Sequence, residues 1–123
     1  MKALSVRQPY AWLIVAGHKP IENRTWRTRY RGPLVIHAAS RPHKHAIPEI
    51  ERRQSVTIDR DALRYGGLIG RVTLADVVES SPSPWFEGPI GFVLIEPVEI
   101  VFVPYSGRQT LFDVPDGLVR DIV

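Results

Sequence analysis

The chain of 123 residues contains no cysteine, which excludes disulfides and thiolate metal sites. That composition suits a reducing compartment, and a cytoplasmic location is expected. No apolar run approaches the length that crosses a bilayer, so no membrane partner is expected. The opening Met1-Lys2-Ala3-Leu4-Ser5-Val6-Arg7 has no signal-peptide hydrophobic region. Serine-nucleophile, Walker and Rossmann motifs are all missing. Of the four histidines, at 18, 37, 43 and 45, only His43 and His45 cluster, and two ligands do not make a metal site. The expectation is therefore no metal and no cofactor, with the His43–His45 stretch a solvated loop and His37 a hydrogen-bonded core residue.

What is present reads as one compact domain over residues 1–123. Apolar content of 44% and charged content of 24% are ordinary for a globular fold. The net charge of +3 hides an asymmetry. Residues 1–53 hold eleven Lys and Arg against three acids, a balance of +8, and residues 54–123 hold five against ten, a balance of −5. A basic half points to an anionic partner such as nucleic acid. The alternative is that the two halves neutralise each other in the fold.

Along the chain, Lys2 to Arg7 alternates as a strand does. Pro9 suits a first helical turn, and Tyr10 to Ala16 is apolar all round, which predicts a short buried helix ended by Gly17. Leu34 to Ala39 is apolar on both faces and reads as a central strand. Residues 42–66 read as a variable surface excursion, with helical turns over Pro48–Arg53 and Asp61–Tyr65. Leu68 to Val78 is the longest strand candidate. Gly91–Glu96 and Val98–Val103 read as two strands split by Pro97. The sum is an α+β chain of about five to seven short strands with one early helix. Short strands joined by Gly and Pro turns favour a small closed barrel over an open sheet.

The stretch from Gly17 to Trp26 organises the rest. At strand spacing, Glu22, Arg24 and Trp26 share one face, and Lys19 sits at the mouth of the preceding turn. Lys19 is a candidate base or nucleophile and Glu22 a candidate acid or a partner that holds it. The plain alternative is a strand-edge salt bridge, which is worth little. After Trp26, arginines at 27, 29 and 31 alternate around Tyr30, a pattern in which guanidinium groups hold phosphates and rings stack bases. A basic solvated hairpin is the alternative there. Trp85-Phe86 offers either an aromatic wall or core packing.

Gly17-x-Lys19-x-x-Glu22-x-Arg24 resembles the G-x-K-x-x-E-x-R signature of the ASCH (activating signal cointegrator homology) domain family. Leu4-Ser5-Val6-Arg7-Gln8-Pro9-Tyr10-Ala11-Trp12 is similar to the family's first strand and helix start, with Tyr10 where many members carry Trp. Tyr30 to Ala38, Leu68 to Asp76 and Ser83 to Pro89 match further blocks, the last a pattern of bacterial single-domain members. The resemblance implies a PUA-like β-barrel with a cleft beside the early helix. It puts Lys19, Glu22 and Arg24 in that cleft, with the Gln8-Pro9 helix start beside it, open to a nucleic acid or nucleotide. Joined to the arginine and aromatic pattern, it gives an expected partner of single-stranded RNA or a nucleotide, with DNA a further candidate, bound by Arg7, Gln8, Lys19, Arg24, Trp26, Arg29, Tyr30, Arg31 and Trp85. Two alternatives accompany it. One is an RNA-directed enzyme using Lys19 and Glu22, either a ribonuclease or a hydrolase like the branch that removes acetyl from N4-acetylcytidine. That branch has Thr in place of Glu22 and a distal acid, for which Glu87 is the nearest candidate. The other is a protein-interaction domain.

Overall fold

The computed structural model describes residues 1–42 and 44–122. The alternating start forms β1 (Lys2–Val6) and the apolar run forms α1 (Tyr10–Val15). Gly17 follows it at φ +89, a left-handed conformation that costs glycine little. Ala11, Leu13 and Ile14 are buried, whereas Tyr10 and Trp12 are only partly so. The helix is thus less uniformly buried than its sequence suggests. The remaining elements are β2 (Ile21–Arg24), β3 (Gly32–Ala38), α2 (Ile47–Gln54), β4 (Gly67–Val78), β5 (Ile90–Pro104) and β6 (Phe112–Asp113).

The strands make one six-stranded sheet in the order β2-β5-β4-β3-β1-β6, with β1 parallel to β3 and every other pair antiparallel. Strand β3 lies inside the sheet, as its two apolar faces predict. The expected closed barrel is not formed. The sheet is open, with β2 at one end of the order and β6 at the other. Closure requires edge strands that can ladder along their length at a consistent stagger, and β2 has four residues and β6 two. A side chain, not a ladder, joins β2 to β1. Arg24 Nη2 donates to the Ser5 carbonyl at 2.7 Å, although three strands separate β2 from β1 in the sheet order.

Pro97 does not split β5. The pairing steps from Thr73↔Ile95 to Arg71↔Val98, so two residues, Glu96 and Pro97, stand opposite one. Glu96 takes φ +54 there. A bulge accommodates a residue that cannot donate to a ladder.

Three apolar clusters hold the elements together. The largest lies between α1 and one sheet face and includes Leu4, Ile14, Ile36, Leu74 and Phe92. A second, with Ala3, Val35, Leu68, Ile100 and Val114, ties in the C-terminal segment. The third joins Leu13 and Trp85 to Ile47, Ile50 and Ile58. The 42–66 stretch is therefore not only a surface excursion. It contains α2 and a 3₁₀ turn at Arg60–Ala62, and it packs a core of its own against α1.

Candidate functional site

A cleft of about 890 Å³ is lined by residues of β1, α1, β2 and α2, of the Trp85–Glu87 turn and of the loop after β5. Its size lies toward the upper end of the roughly 300–1,000 Å³ typical of small-molecule sites. Chain geometry explains how its charges arrive. After Gly17 reverses the chain, the N–H groups of His18 and Lys19 both return to the Leu13 carbonyl. This turns Lys19 inward, where its side chain is 3% exposed.

There Lys19 Nζ donates to Glu22 Oε1 at 2.7 Å and to the Ile21 carbonyl. It also lies 5.5 Å from the centre of the Tyr10 ring, a cation–π distance. The other carboxylate oxygen of Glu22 accepts from Arg24 Nη2 at 2.9 Å. Arg24 Nε is buried without a hydrogen-bond partner among the described residues. Lys19, Glu22 and Arg24 thus form one ion-paired cluster mostly out of solvent, not a solvated strand-edge pair.

Asn23 points the other way along β2 and performs a separate task. Its Nδ2 donates to the Trp85 carbonyl at 3.0 Å, and its Oδ1 accepts from the N–H groups of Glu87 at 2.8 Å and Gly88 at 3.0 Å. The Trp85–Gly88 loop is thereby fixed at the cleft, with both Trp85 and Glu87 on its lining. Trp85 is also packed in the third core cluster, as its core-packing alternative held. Tyr10 completes the wall. Burial, then the Glu87 and Glu22 carboxylates, push its phenol pKa above the ordinary 10. At neutral pH it is a hydroxyl donor.

The structure brings Arg7, Lys19, Glu22, Arg24, Trp26 and Trp85 onto this cleft. Trp26 lies beyond the end of β2 and packs edge-on against Phe92, with ring centres 5.2 Å apart. Four other candidates lie elsewhere. Gln8 is buried, donating to the Arg64 carbonyl at 2.9 Å and accepting from the Trp12 N–H at 2.8 Å, which shapes the start of α1. Tyr30 packs against the main core and bonds the Pro33 carbonyl. Arg31 reaches Asp76 at 3.7 Å, and Arg29 is exposed off the cleft. Arg27 pairs with Glu79. Part of the basic half is therefore neutralised by the acidic half, as the charge asymmetry allowed.

Sequence reasoning missed Tyr10, Asn23, Glu49, Arg53 and Arg108, all on the cleft lining. Only Tyr10, in the helix just before the signature, had a local signal. His45 lines the cleft, and His43 lies outside the described residues. His37 is the hydrogen-bonded core residue expected, between Ser5 Oγ at 2.9 Å and the Tyr105 carbonyl at 2.6 Å. Its Nε2–H donates to the carbonyl, which leaves Nδ1 to accept from the serine.

The domain is an open α+β sheet with an ion-paired cluster and an aromatic-lined cleft beside its first helix. The chain belongs to the ASCH domain family, whose model matches residues 4–106, and thereby to the PUA-like superfamily. At the level of the family, ASCH domains are associated with RNA. The chain is 33% identical, over an alignment of 124 positions including gaps, to Activating signal cointegrator 1 of Homo sapiens, and likewise to that of Mus musculus. The match takes in 89% of this chain and 21% of each relative, so the chain spans about a fifth of their length. The crystal structure of ASCH from Zymomonas mobilis shares the fold at a TM-score of 0.58 and 17% identity, covering 94% of this chain and 88% of that one. A mutant of that protein with phenylalanine in place of one tyrosine gives 0.56, over 94% of this chain and 90% of that one. No helix among the described residues is long and apolar enough to cross a membrane.

Proposed function

We propose that the cleft binds single-stranded RNA or a nucleotide, with the base against Tyr10, Trp26 or Trp85 and phosphate drawn by the surrounding guanidinium groups. The observation that carries this reading is the meeting of rings and guanidinium groups in one cleft of nucleotide-accommodating size. Aromatic faces stack any base, and guanidinium groups hold phosphate in bidentate fashion. The reading takes residues 1–123 as one such domain acting in the cytoplasm.

The burial of Lys19 beside Glu22 at the cleft floor supports a second reading, an enzyme. In the hydrolase version, water adds to the acetyl carbonyl of N4-acetylcytidine and the C–N bond breaks. Acetate leaves and the cytidine nitrogen takes a proton. Lys19 would act as base or nucleophile, Glu22 would hold it, and Glu87, on the same lining, would be the distal acid. In the ribonuclease version, Lys19 acts as base or phosphate clamp.

One experiment separates the readings. The protein is incubated with N4-acylated cytidines and short single-stranded RNAs and followed by mass spectrometry, beside a Lys19→Ala control shown folded by circular dichroism. Deacylated nucleoside or cut RNA that disappears in the control establishes the enzyme. Unchanged RNA that the wild type retains at low salt establishes the reader. RNA neither bound nor altered at low salt overturns the proposal and leaves the protein-interaction alternative.

A further inference from the structure

Arginine pairing across the molecule is uneven in a way that follows the cleft. On α2, Arg52 holds both oxygens of Glu49, at 2.7 and 3.3 Å, and Arg60 from the following turn holds Glu51 at 3.1 Å. Elsewhere Arg27 takes Glu79, Arg31 takes Asp76 and Arg71 takes Asp121. Three arginines on the cleft lining have no carboxylate partner among the described residues. They are Arg7 at the exit of β1, Arg53 on α2 and Arg108 in the loop after β5, whose Nη1 bonds only the neighbouring Gly107 carbonyl. All three are exposed.

The acids that could neutralise them are committed. Both oxygens of Glu22 are taken by Lys19 and Arg24, and both oxygens of Glu49 by Arg52. Glu87 alone remains on the lining, in the loop that Asn23 fixes. Three guanidinium groups from distant parts of the chain thus share one opening with one free acid. Like charges around a low-dielectric wall repel one another, and an anion at their centre relieves that repulsion.

Building on the reading above, we infer that the ligand of this cleft carries a phosphate, held at the mouth by Arg53 with Arg7 and Arg108, so that the substrate class is a nucleotide or an RNA strand and not a free nucleoside. Arg53 is the decisive member, because it comes from the 42–66 segment, outside the Gly17–Arg24 signature, and lines the same cleft. The phosphate is thus held by arginines outside the signature, which leaves Tyr10, Trp26 and Trp85 to the base. Arg7, Arg53 and Arg108 form a second charged station beside that of Lys19, Glu22 and Arg24.

The test uses the full chain with four probes, namely cytidine, cytidine 5′-monophosphate, a short oligocytidylate, and the same oligomer with an uncharged methylphosphonate backbone. Binding is measured by calorimetry and by anisotropy across a salt series. Arg53→Gln and Arg108→Gln are expected to weaken the oligocytidylate about tenfold each, the scale of one charge-assisted hydrogen bond. Each should also reduce the slope of log affinity on log salt by about 0.7 for one lost phosphate contact on a single strand. Arg71→Gln, which unpairs Asp121 away from the cleft, should change neither. Loss of the monophosphate alongside the strand assigns a terminal phosphate, and loss of the strand alone assigns one within the backbone. If Arg53→Gln and Arg108→Gln bind as the wild type does, or the methylphosphonate oligomer binds as tightly as the phosphate one, the phosphate station is overturned while the base-binding reading stands. If the wild type binds none of the four probes, both fall.

Discussion

Glu22 holds Lys19 with one carboxylate oxygen and Arg24 with the other, and all three side chains are mostly out of solvent. Glu22→Gln keeps the shape but leaves two cations with no counter-charge. A buried pair contributes little net stability, yet removal of one partner costs about 3–5 kcal/mol. That loss is expected in urea unfolding, with Lys19→Met/Glu22→Gln recovering part of it. His37 sets a pH dependence. Burial lowers its pKa below the ordinary 6.5, and the hydrogen bond to the Tyr105 carbonyl opposes this. The unfolded chain therefore binds the proton more readily than the folded one. The stabilisation is complete above about pH 6.5 and is lost as pH falls toward the lower folded value. The urea midpoint should drop between about pH 7.5 and 5.5, and drop less in His37→Gln. At this scale the sequence was informative where spacing decides geometry. Lys19, Glu22 and Arg24 meet because a turn and a period-two strand place them together. Burial was not legible, since nothing in Lys19-Pro20-Ile21-Glu22 distinguishes an inward lysine from a solvated one.

Among the elements, α1 rests directly on β4. A Cβ at Gly70 would lie 2.5 and 2.6 Å from the two methyls of Val15 and 3.0 Å from the Val98 carbonyl. Gly70→Ala must push the helix off the sheet or force Val15 from its rotamer. An overpacking cost of about 1–3 kcal/mol is expected in the thermal midpoint. Because α1 also carries Tyr10, the same variant should alter ligand affinity without touching a residue of the lining. The strands at β1, β3 and β4 were readable from their apolar patterns. The continuity of β5 was not, since a proline inside a strand is ordinarily disfavoured and only the Glu96–Pro97 bulge accommodates it. The contribution of 42–66 was hidden for a different reason. Its three buried isoleucines are spread over a polar stretch, and their partners, Leu13 and Trp85, are remote in sequence.

For the whole molecule, the open sheet replaces the barrel that short strands and Gly/Pro turns suggested. Element content was legible because it follows local pattern. Closure was not, because it depends on edge-strand length and stagger between residues far apart. Stability should therefore be graded across the sheet. Amide hydrogen exchange should be slowest in β3 and β4, which have neighbours on both sides, and fast in β2 and β6 at the two ends of the order. The three cores carry one more consequence. The apolar cluster of the 42–66 segment meets the main one through α1, a helix of six residues whose Tyr10 packs against both. The α2 lining of the cleft thus hangs on a small separate core, and truncation of Ile47, Ile50 or Ile58 should loosen it while the sheet and the Lys19–Glu22–Arg24 cluster keep their places.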